Sequence, residues 1–187
     1  MKKILSLFLL LFAIACSFKN EKIRVDFTIE DKKSSIGEGI EVEVAASDNR
    51  LSKYVLGVKR IGKKKIEVQN YQEVDKILQE KIALNLLERG FKLGKENKVQ
   101  IGLESLKYSA KNKILIATSA TEVDVKIFAT NNRSKKSFSK NYHIALTGKH
   151  FILPTKSSQE KAVNSILQEV TEEILSDDAF LKALIRP

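Results

Sequence analysis

Apolar and polar residues alternate along several stretches of this 187-residue chain, with the period of a β-strand that buries one face. The first two alternating stretches span residues 23–29 and 40–46. Two shorter stretches, 54–58 and 65–69, flank a basic connection around Gly62 and are candidates for short strands. This pattern predicts four strands in the first 70 residues.

The middle of the chain predicts three further strands. Alternation from Val99 to Leu103 changes phase at Leu106, which indicates a β-bulge. It returns over 115–129 and 138–146, on either side of a polar hairpin loop at 131–136. The connections between these strands are too short for a crossover helix, so we expect antiparallel pairing.

Helical spacing of apolar residues appears in two places. Asn70 and Glu73 form a capping box that predicts the start of a first helix, and Gly90 predicts its end. Ser157 and Glu160 form a second capping box. The helix that follows it carries a narrow apolar stripe, which consists of Val163, Ile166, Leu167, Val170 and Ile174.

Asp177 is placed to cap a last short helix that carries Phe180, Leu181 and Leu184. An antiparallel sheet with one apolar face and two or three amphipathic helices predicts an α+β fold. We therefore expect a single domain in which the sheet packs on the helices as a two-layer sandwich.

Residues 1–15 have a different pattern. Two lysines precede an unbroken apolar run from Ile4 to Ala15, whereas a spanning helix needs roughly 17 to 25 residues. The run therefore predicts an export signal. We divide the chain into a lipoprotein signal peptide at 1–15, a tether at 16–22 and one α+β domain at 23–187.

Cys16, the only cysteine, ends the signal. The tetrapeptide Ala13-Ile14-Ala15-Cys16 resembles a bacterial lipobox, which implies a diacylglycerol and an N-acyl chain such as palmitate on Cys16. Lipidation explains a lone cysteine in an exported protein, where cysteines normally pair. The alternative is ordinary cleavage beside a stray cysteine. Ser17 in place of aspartate favours sorting to the outer membrane, by analogy with enteric bacteria.

The charge of the chain bears on its partners. The net charge is +10, and removal of the two leader lysines leaves 31 basic and 23 acidic residues, or +8. Export excludes nucleic acid as a partner. Anionic lipid head groups, envelope polymers and acidic proteins remain, although a lysine-rich solvated surface is an equally simple explanation.

The basic connection is the main candidate for a binding site. It contains five cations, Lys59, Arg60, Lys63, Lys64 and Lys65. The seven residue steps from Cys16 to Ile23 span at most roughly 25 Å, so this connection lies near the membrane. We expect it to contact phospholipid or lipopolysaccharide head groups or an acidic partner. The alternative is a solubilising hairpin tip.

No catalytic constellation is apparent in the sequence. His143 and His150 are the only histidines, and their spacing without a second thiol does not predict a metal site. The paired acids at 172–173 and 177–178 suit a helix surface and a helix start. We expect no enzymatic activity, no metal and no cofactor apart from the acyl chains on Cys16.

Three segments carry a family resemblance. Asp48-Asn49-Arg50 is followed by Leu56-Gly57, Leu87-Glu88-Arg89-Gly90-Phe91 ends the first helix, and the closing helices run from Val163 to Leu184. Over residues 23–184 the chain resembles the YajG-type bacterial lipoproteins. The resemblance implies an outer-membrane lipoprotein that faces the periplasm.

Two functions follow as expectations. The first is a non-catalytic accessory or protein-interaction role in the cell envelope. The second is a periplasmic lipid-binding or lipid-transport auxiliary protein, which needs an apolar cavity of a few hundred Å³ between sheet and helices.

Overall fold

The computed structural model describes residues 20–30, 33–112 and 116–185. The predicted signal peptide, Cys16 and tether residues 17–19 therefore lie outside the described residues, as does Leu115 at the predicted start of a strand.

The described residues form eight strands and three helices, and so confirm a mixed α+β domain. In chain order these are β1 (Glu21–Ile23), β2 (Glu41–Asp48), β3 (Val55–Ile61), β4 (Lys64–Asn70), α1 (Val74–Glu88), β5 (Lys92–Leu93), β6 (Asn97–Asn112), β7 (Ala117–Asn131), β8 (Ser137–His150), α2 (Lys156–Ser176) and α3 (Asp178–Ile185).

The sheet is mixed, so the prediction of an antiparallel sheet is wrong for part of it. The pairs β3–β4, β6–β7 and β7–β8 are antiparallel, whereas β1 runs parallel to β4, and β2 and β3 both run parallel to β6. The parallel pairs with β6 arise because return segments lie between those strands and β6 in the chain. Antiparallel β4 brings the chain back to the level at which β3 began, and α1 then carries it to the end at which β2 began.

The central strand β6 pairs with two strands along one edge. Its first half, 97–103, pairs with β2, and its last residues, 108–111, pair with β3. The register against β7 shifts between Leu103 and Ser105, which confirms the predicted bulge. Strands at opposite sides of the sheet, β1 and β8, both contact α2. The sheet therefore curls around α2 as a half-barrel rather than lying flat in a two-layer sandwich.

The core lies between the concave side of the sheet and the helices. The predicted stripe of α2 is fully buried, and so are Val123, Val125 and Ile127 of β7. Helix α1 buries Val74, Leu78, Ile82 and Leu86, whereas its Leu84 and Leu87 are exposed.

The predicted strand over 23–29 ends at Ile23, although Val25 and Phe27 are buried as the alternation requires. Beyond Ile23, side chains form the hydrogen bonds that the backbone N–H and carbonyl groups would otherwise make with a neighbouring strand. Gln72 Oε1 accepts from the Val25 N–H at 2.6 Å, and Gln72 Nε2 donates to the Val25 carbonyl at 3.0 Å. Asn164 Oδ1 accepts from the Asp26 N–H at 2.9 Å.

Two predicted helix caps are wrong in position. Helix α1 has Glu73 at its N-cap without a side-chain bond, and Asn70 instead donates from Nδ2 to the Gln72 carbonyl at 2.5 Å. Helix α2 is capped by Thr155, whose Oγ1 accepts from the Ser158 N–H at 3.3 Å. The N-cap of this helix is thus Thr155, two residues before the predicted Ser157.

Two other helix signals are confirmed. Asp177 Oδ1 accepts from the N–H groups of Ala179 at 2.8 Å and Phe180 at 3.2 Å, which caps α3. Gly90 follows α1 with a φ of 89°, the left-handed conformation that glycine adopts without strain.

Candidate functional site

A groove of about 550 Å³ crosses β2, β6 and β7 on the side of the sheet away from the helices. Small residues, Ala45, Ser47 and Gly102, line part of this groove. Phe128 of β7 lines it as well and is 37% exposed. We call this recess the sheet groove.

The sheet groove also has polar lining residues at one end. Glu104 stands at the bulge of β6, and its Oε1 accepts from Asn49 Nδ2 at 2.8 Å. The Asn49 N–H donates to the Leu103 carbonyl at 3.0 Å, so the chain that leaves β2 stays bound to β6. Gln100 and Lys126 add further hydrogen-bonding groups to the lining.

The Asp48-Asn49-Arg50 motif folds this corner. Arg50 binds Asp48 through two bonds, Nε to Oδ1 at 2.8 Å and Nη2 to Oδ2 at 2.6 Å, and both side chains are at most 5% exposed. Burial favours a higher pKa for Asp48, but the hydrogen bond and charge of Arg50 outweigh it and lower that pKa. Arg50 also donates to the Lys53 carbonyl at 2.6 Å. The motif therefore shapes the loop between β2 and β3.

The Leu87-to-Phe91 motif joins the ends of two helices. Arg89 is buried, and its Nη1 donates to the Leu175 carbonyl at 2.6 Å in the last turn of α2. Burial lowers the pKa of Arg89. Phe91 packs directly on Gly37, where a Cβ would come within 2.2 Å of the ring. Two of the three segments behind the family resemblance, Asp48-Asn49-Arg50 and Leu87 to Phe91, thus have structural roles.

The basic connection forms the turn between β3 and β4. Arg60, Lys63, Lys64 and Lys65 are exposed, as an anionic-surface contact requires. The inclusion of Lys59 in this set is wrong, because its side chain is only 8% exposed and its Nζ lies 2.5 Å from Glu21 Oε1. Lys59 also donates to the Pro154 carbonyl at 3.3 Å. Its ion pair with Glu21 links β3 to β1, and its side chain is turned away from solvent.

Two cations that the sequence analysis missed join this surface. Arg60 lies opposite Lys111 of β6, Lys111 opposite Thr118 of β7, and Thr118 opposite Lys149 of β8. They line a second recess of about 480 Å³, and no acidic residue is among its lining residues in the described part of the chain. Lys111 and Lys149 are distant from the basic connection in sequence, so only the strand register brings them to it.

The histidines lie in separate places. His143 is exposed, and its Nδ1 lies 2.6 Å from Asp124 Oδ1. His150 ends β8, with its Nε2 2.9 Å from Ser119 Oγ. Among the residues that the structure describes, no group of three metal-binding side chains occurs.

The helices of the described segments are too short or too polar to cross a membrane. A family model with the description "uncharacterized lipoprotein" matches residues 28–185. The chain is therefore a lipoprotein by class. It belongs to the YajG family of uncharacterized lipoproteins, which confirms the resemblance drawn from the sequence.

Solved structures share the fold at low sequence identity. A Xanthomonas campestris protein of the DUF330 family is 10% identical with a TM-score of 0.52, and the match covers 82% of this chain and 93% of that chain. A structure described as a neuraminyllactose-binding hemagglutinin homolog from Helicobacter pylori is 6% identical with a TM-score of 0.50, with coverage of 87% and 99%. Among curated proteins, none matches this sequence.

Proposed function

We propose that this lipoprotein is anchored through Cys16 to the outer membrane, faces the periplasm and acts as a non-catalytic accessory protein that binds another envelope protein. The sheet groove is the observation that supports this role. Its small residues leave room for a partner's side chains beside the partly exposed Phe128 ring. Aromatic residues surrounded by polar groups are typical of the energetic centre of a protein interface.

The polar lining of the groove suits a polypeptide partner. Gln100, Glu104 and Lys126 offer both donors and acceptors next to Phe128, so a partner can bind through hydrogen bonds as well as apolar contact. Mixed polarity of this kind is characteristic of transient complexes rather than obligate ones. An accessory protein that associates and dissociates fits these properties.

A lipid-carrier function is supported less well. A carrier needs an apolar cavity of a few hundred Å³, and the large recesses described above all open on the side away from the helices. A recess on the helix side, beside Arg89 and Leu175, holds only about 40 Å³, which is room for a water molecule or two. The described inner faces of β6, β7 and α2 fill the space between them.

Photo-crosslinking in cells tests the accessory role. A photoreactive amino acid at Phe128 or Ala45 should give a discrete adduct with one envelope protein. The same probe at Leu84, a 48% exposed apolar residue of α1, is the matched control and should give none. An Ala45→Arg substitution fills the groove and should abolish the adduct formed from position 128.

Equal adducts from Leu84 and Phe128 would contradict a partner site in the groove. Lipid that co-purifies with the intact protein in native mass spectrometry would instead favour the carrier.

Cys16→Ser tests the anchor, because a serine variant that still carried lipid would show that Cys16 is not the acylated residue.

A further inference from the structure

We propose that the end of the domain nearest the tether is a membrane-docking surface, in which Phe151 and Ile152 insert between anionic phospholipids while Arg60, Lys111 and Lys149 contact the head groups. The inference rests on the proposed anchor at Cys16. It goes beyond that anchor by assigning side chains of the folded domain to the bilayer and so fixing the orientation of the domain.

The direction of β1 determines where the tether leads. Glu21 lies opposite Val68 and Ile23 opposite Asn70 in a parallel pair. Asn20, the first described residue, therefore lies on the side of Glu21 that faces the start of β4 and the turn at Gly62. Four residue steps separate Cys16 from Asn20, which span at most roughly 14 Å. The acyl chains must therefore enter the bilayer within that distance of Asn20.

The same end of the sheet carries an unusual pair of apolar side chains. His150 lies opposite Ala117 at the end of β8, and the next two residues, Phe151 and Ile152, are 94% and 72% exposed. Ile116, directly before β7, is 47% exposed. Because Ala117 pairs with His150, Ile116 lies next to Phe151 and Ile152, and the three side chains form a contiguous apolar patch of the kind that marks an interaction site.

This apolar segment is held against the sheet. The Pro154 carbonyl accepts from Lys59 Nζ at 3.3 Å and from Gln159 Nε2 at 3.2 Å. Both donors are buried, so the chain two residues after Ile152 is fixed to β3 and α2. The apolar residues therefore occupy a defined position beside the cations.

Charge identifies the occupant as an anionic membrane. The row of Arg60, Lys111 and Lys149 crosses four strands at this end, with Thr118 of β7 between the two lysines, and the exposed Lys63 and Lys65 continue it at the β3–β4 turn. Cations that surround exposed aromatic and aliphatic residues match the polar and apolar layers of a bilayer surface. A purely solubilising surface would not carry Phe151 and Ile152.

The absence of tryptophan from the chain allows a direct test. The full-length lipidated F151W protein is reconstituted into vesicles of phosphatidylglycerol and phosphatidylethanolamine, and quenching by brominated phospholipids is measured. The indole should emit at shorter wavelength and be quenched several-fold more than in the L93W protein. Leu93 is the matched control, since it is 68% exposed and lies on β5, which pairs with the start of β2 at the opposite end of the sheet.

A charge variant tests the head-group contact. This variant, made in the F151W background, carries Arg60→Gln, Lys111→Gln and Lys149→Gln. The ratio of docked to undocked protein should fall about fivefold for each cation removed. The matched variant replaces Lys92, Lys95 and Lys98, three exposed lysines of the opposite end, and should leave the ratio unchanged.

Flotation separates failure of the docking from failure of the anchor. Protein that does not float with the vesicles would refute the anchor at Cys16. Protein that floats while F151W and L93W are quenched equally would overturn the docking surface. Equal losses in the two charge variants would show that the contact depends on net charge rather than on this end of the domain.

Discussion

Asp177 joins three elements through one carboxylate. Its Oδ2 accepts from Lys140 Nζ at 2.6 Å and from the Tyr142 hydroxyl at 2.9 Å, while Oδ1 caps α3. Burial favours a higher pKa, but the hydrogen bonds from Lys140, Tyr142 and the backbone N–H groups outweigh it and lower the pKa of Asp177 to about 2. Burial and the same carboxylate raise the pKa of Tyr142.

The lowered pKa of Asp177 makes the free energy of unfolding depend on pH in the acid range. Since the folded pKa lies below the ordinary value of 3.8, Asp177 contributes stability that is complete above pH 4 and is lost as the pH falls toward 2. The loss should be about 2 kcal/mol in the free energy of unfolding. Urea denaturation at a series of pH values, followed by circular dichroism, measures it.

Asp177→Asn should remove this acid dependence, because asparagine still caps the helix but has no charge to lose. Asp178→Asn is the matched control, since the Asp178 side chain is 83% exposed. If Asp177→Asn and the parent protein lost stability in parallel between pH 4 and pH 2, the assignment to Asp177 would be wrong.

At the scale of elements, Gly57 lets β3 join the sheet. Its φ is 155°, and a Cβ there would come within 1.7 Å of the Tyr108 carbonyl oxygen. The register of β3 against β4 shifts between Val55 and Gly57, so the strand bends at the point where it first meets β6. A side chain at this position would push the two strands apart.

Gly57→Ala should therefore destabilise the protein by about 3 kcal/mol or more, since the clash is with backbone that cannot move aside. Gly62→Ala is the control, because its φ is 58° but no atom lies within 4 Å of the added Cβ. It should cost about 1 kcal/mol. Thermal unfolding compares the two variants, and equal losses would show that close packing on Tyr108 is unimportant.

Local patterns predicted the elements better than their pairing. The bulge after Leu103, the Gly90 helix end and the Asp177 cap depend on neighbouring residues, and all three are confirmed. The partner of each strand depends on the path of the whole chain. The parallel pairing of β2 with β6 follows from the position of α1 between them, a relation that alternation within either strand does not contain.

The same limit applies to the candidate surfaces. The sequence placed Lys59 among exposed cations because its neighbours are basic, but pairing with Glu21 buries it. The sheet groove gave no sequence signal, since Ala45, Gly102 and Phe128 are ordinary strand residues when each is taken alone. Three strands of different register had to be assembled before a recess appeared.

At the scale of the whole molecule, the pairing of the strands predicts that amides in the centre of the sheet are the most protected from hydrogen exchange. Strand β7 pairs on both sides, with β6 and β8, and β6 pairs with β7 on one side and with β2 and β3 on the other. In the described part of the chain β8 pairs with β7 alone. Unfolding of its edge therefore leaves the rest of the core intact.

Native-state hydrogen exchange should show this order. Amides near Val99 to Leu103 and Val123 to Ile127 should exchange only through global unfolding, whereas amides on the free edge of β8 should exchange through local opening. Measurement at low denaturant concentrations separates the two classes. Equal dependence on denaturant in β7 and β8 would mean that the sheet opens as one unit.

The parallel pairing of β1 with β4 also governs how the domain bears mechanical load. When Asn20 is pulled along the axis of β1, the interstrand bonds of Glu21 to Ile23 lie across the force and share it. The Lys59 to Glu21 contact, the bond from the Arg24 N–H to Glu160 and the Gln72 bonds to Val25 are strained together rather than one after another. The domain should therefore resist being peeled from its anchor when a bound partner is drawn away from the membrane.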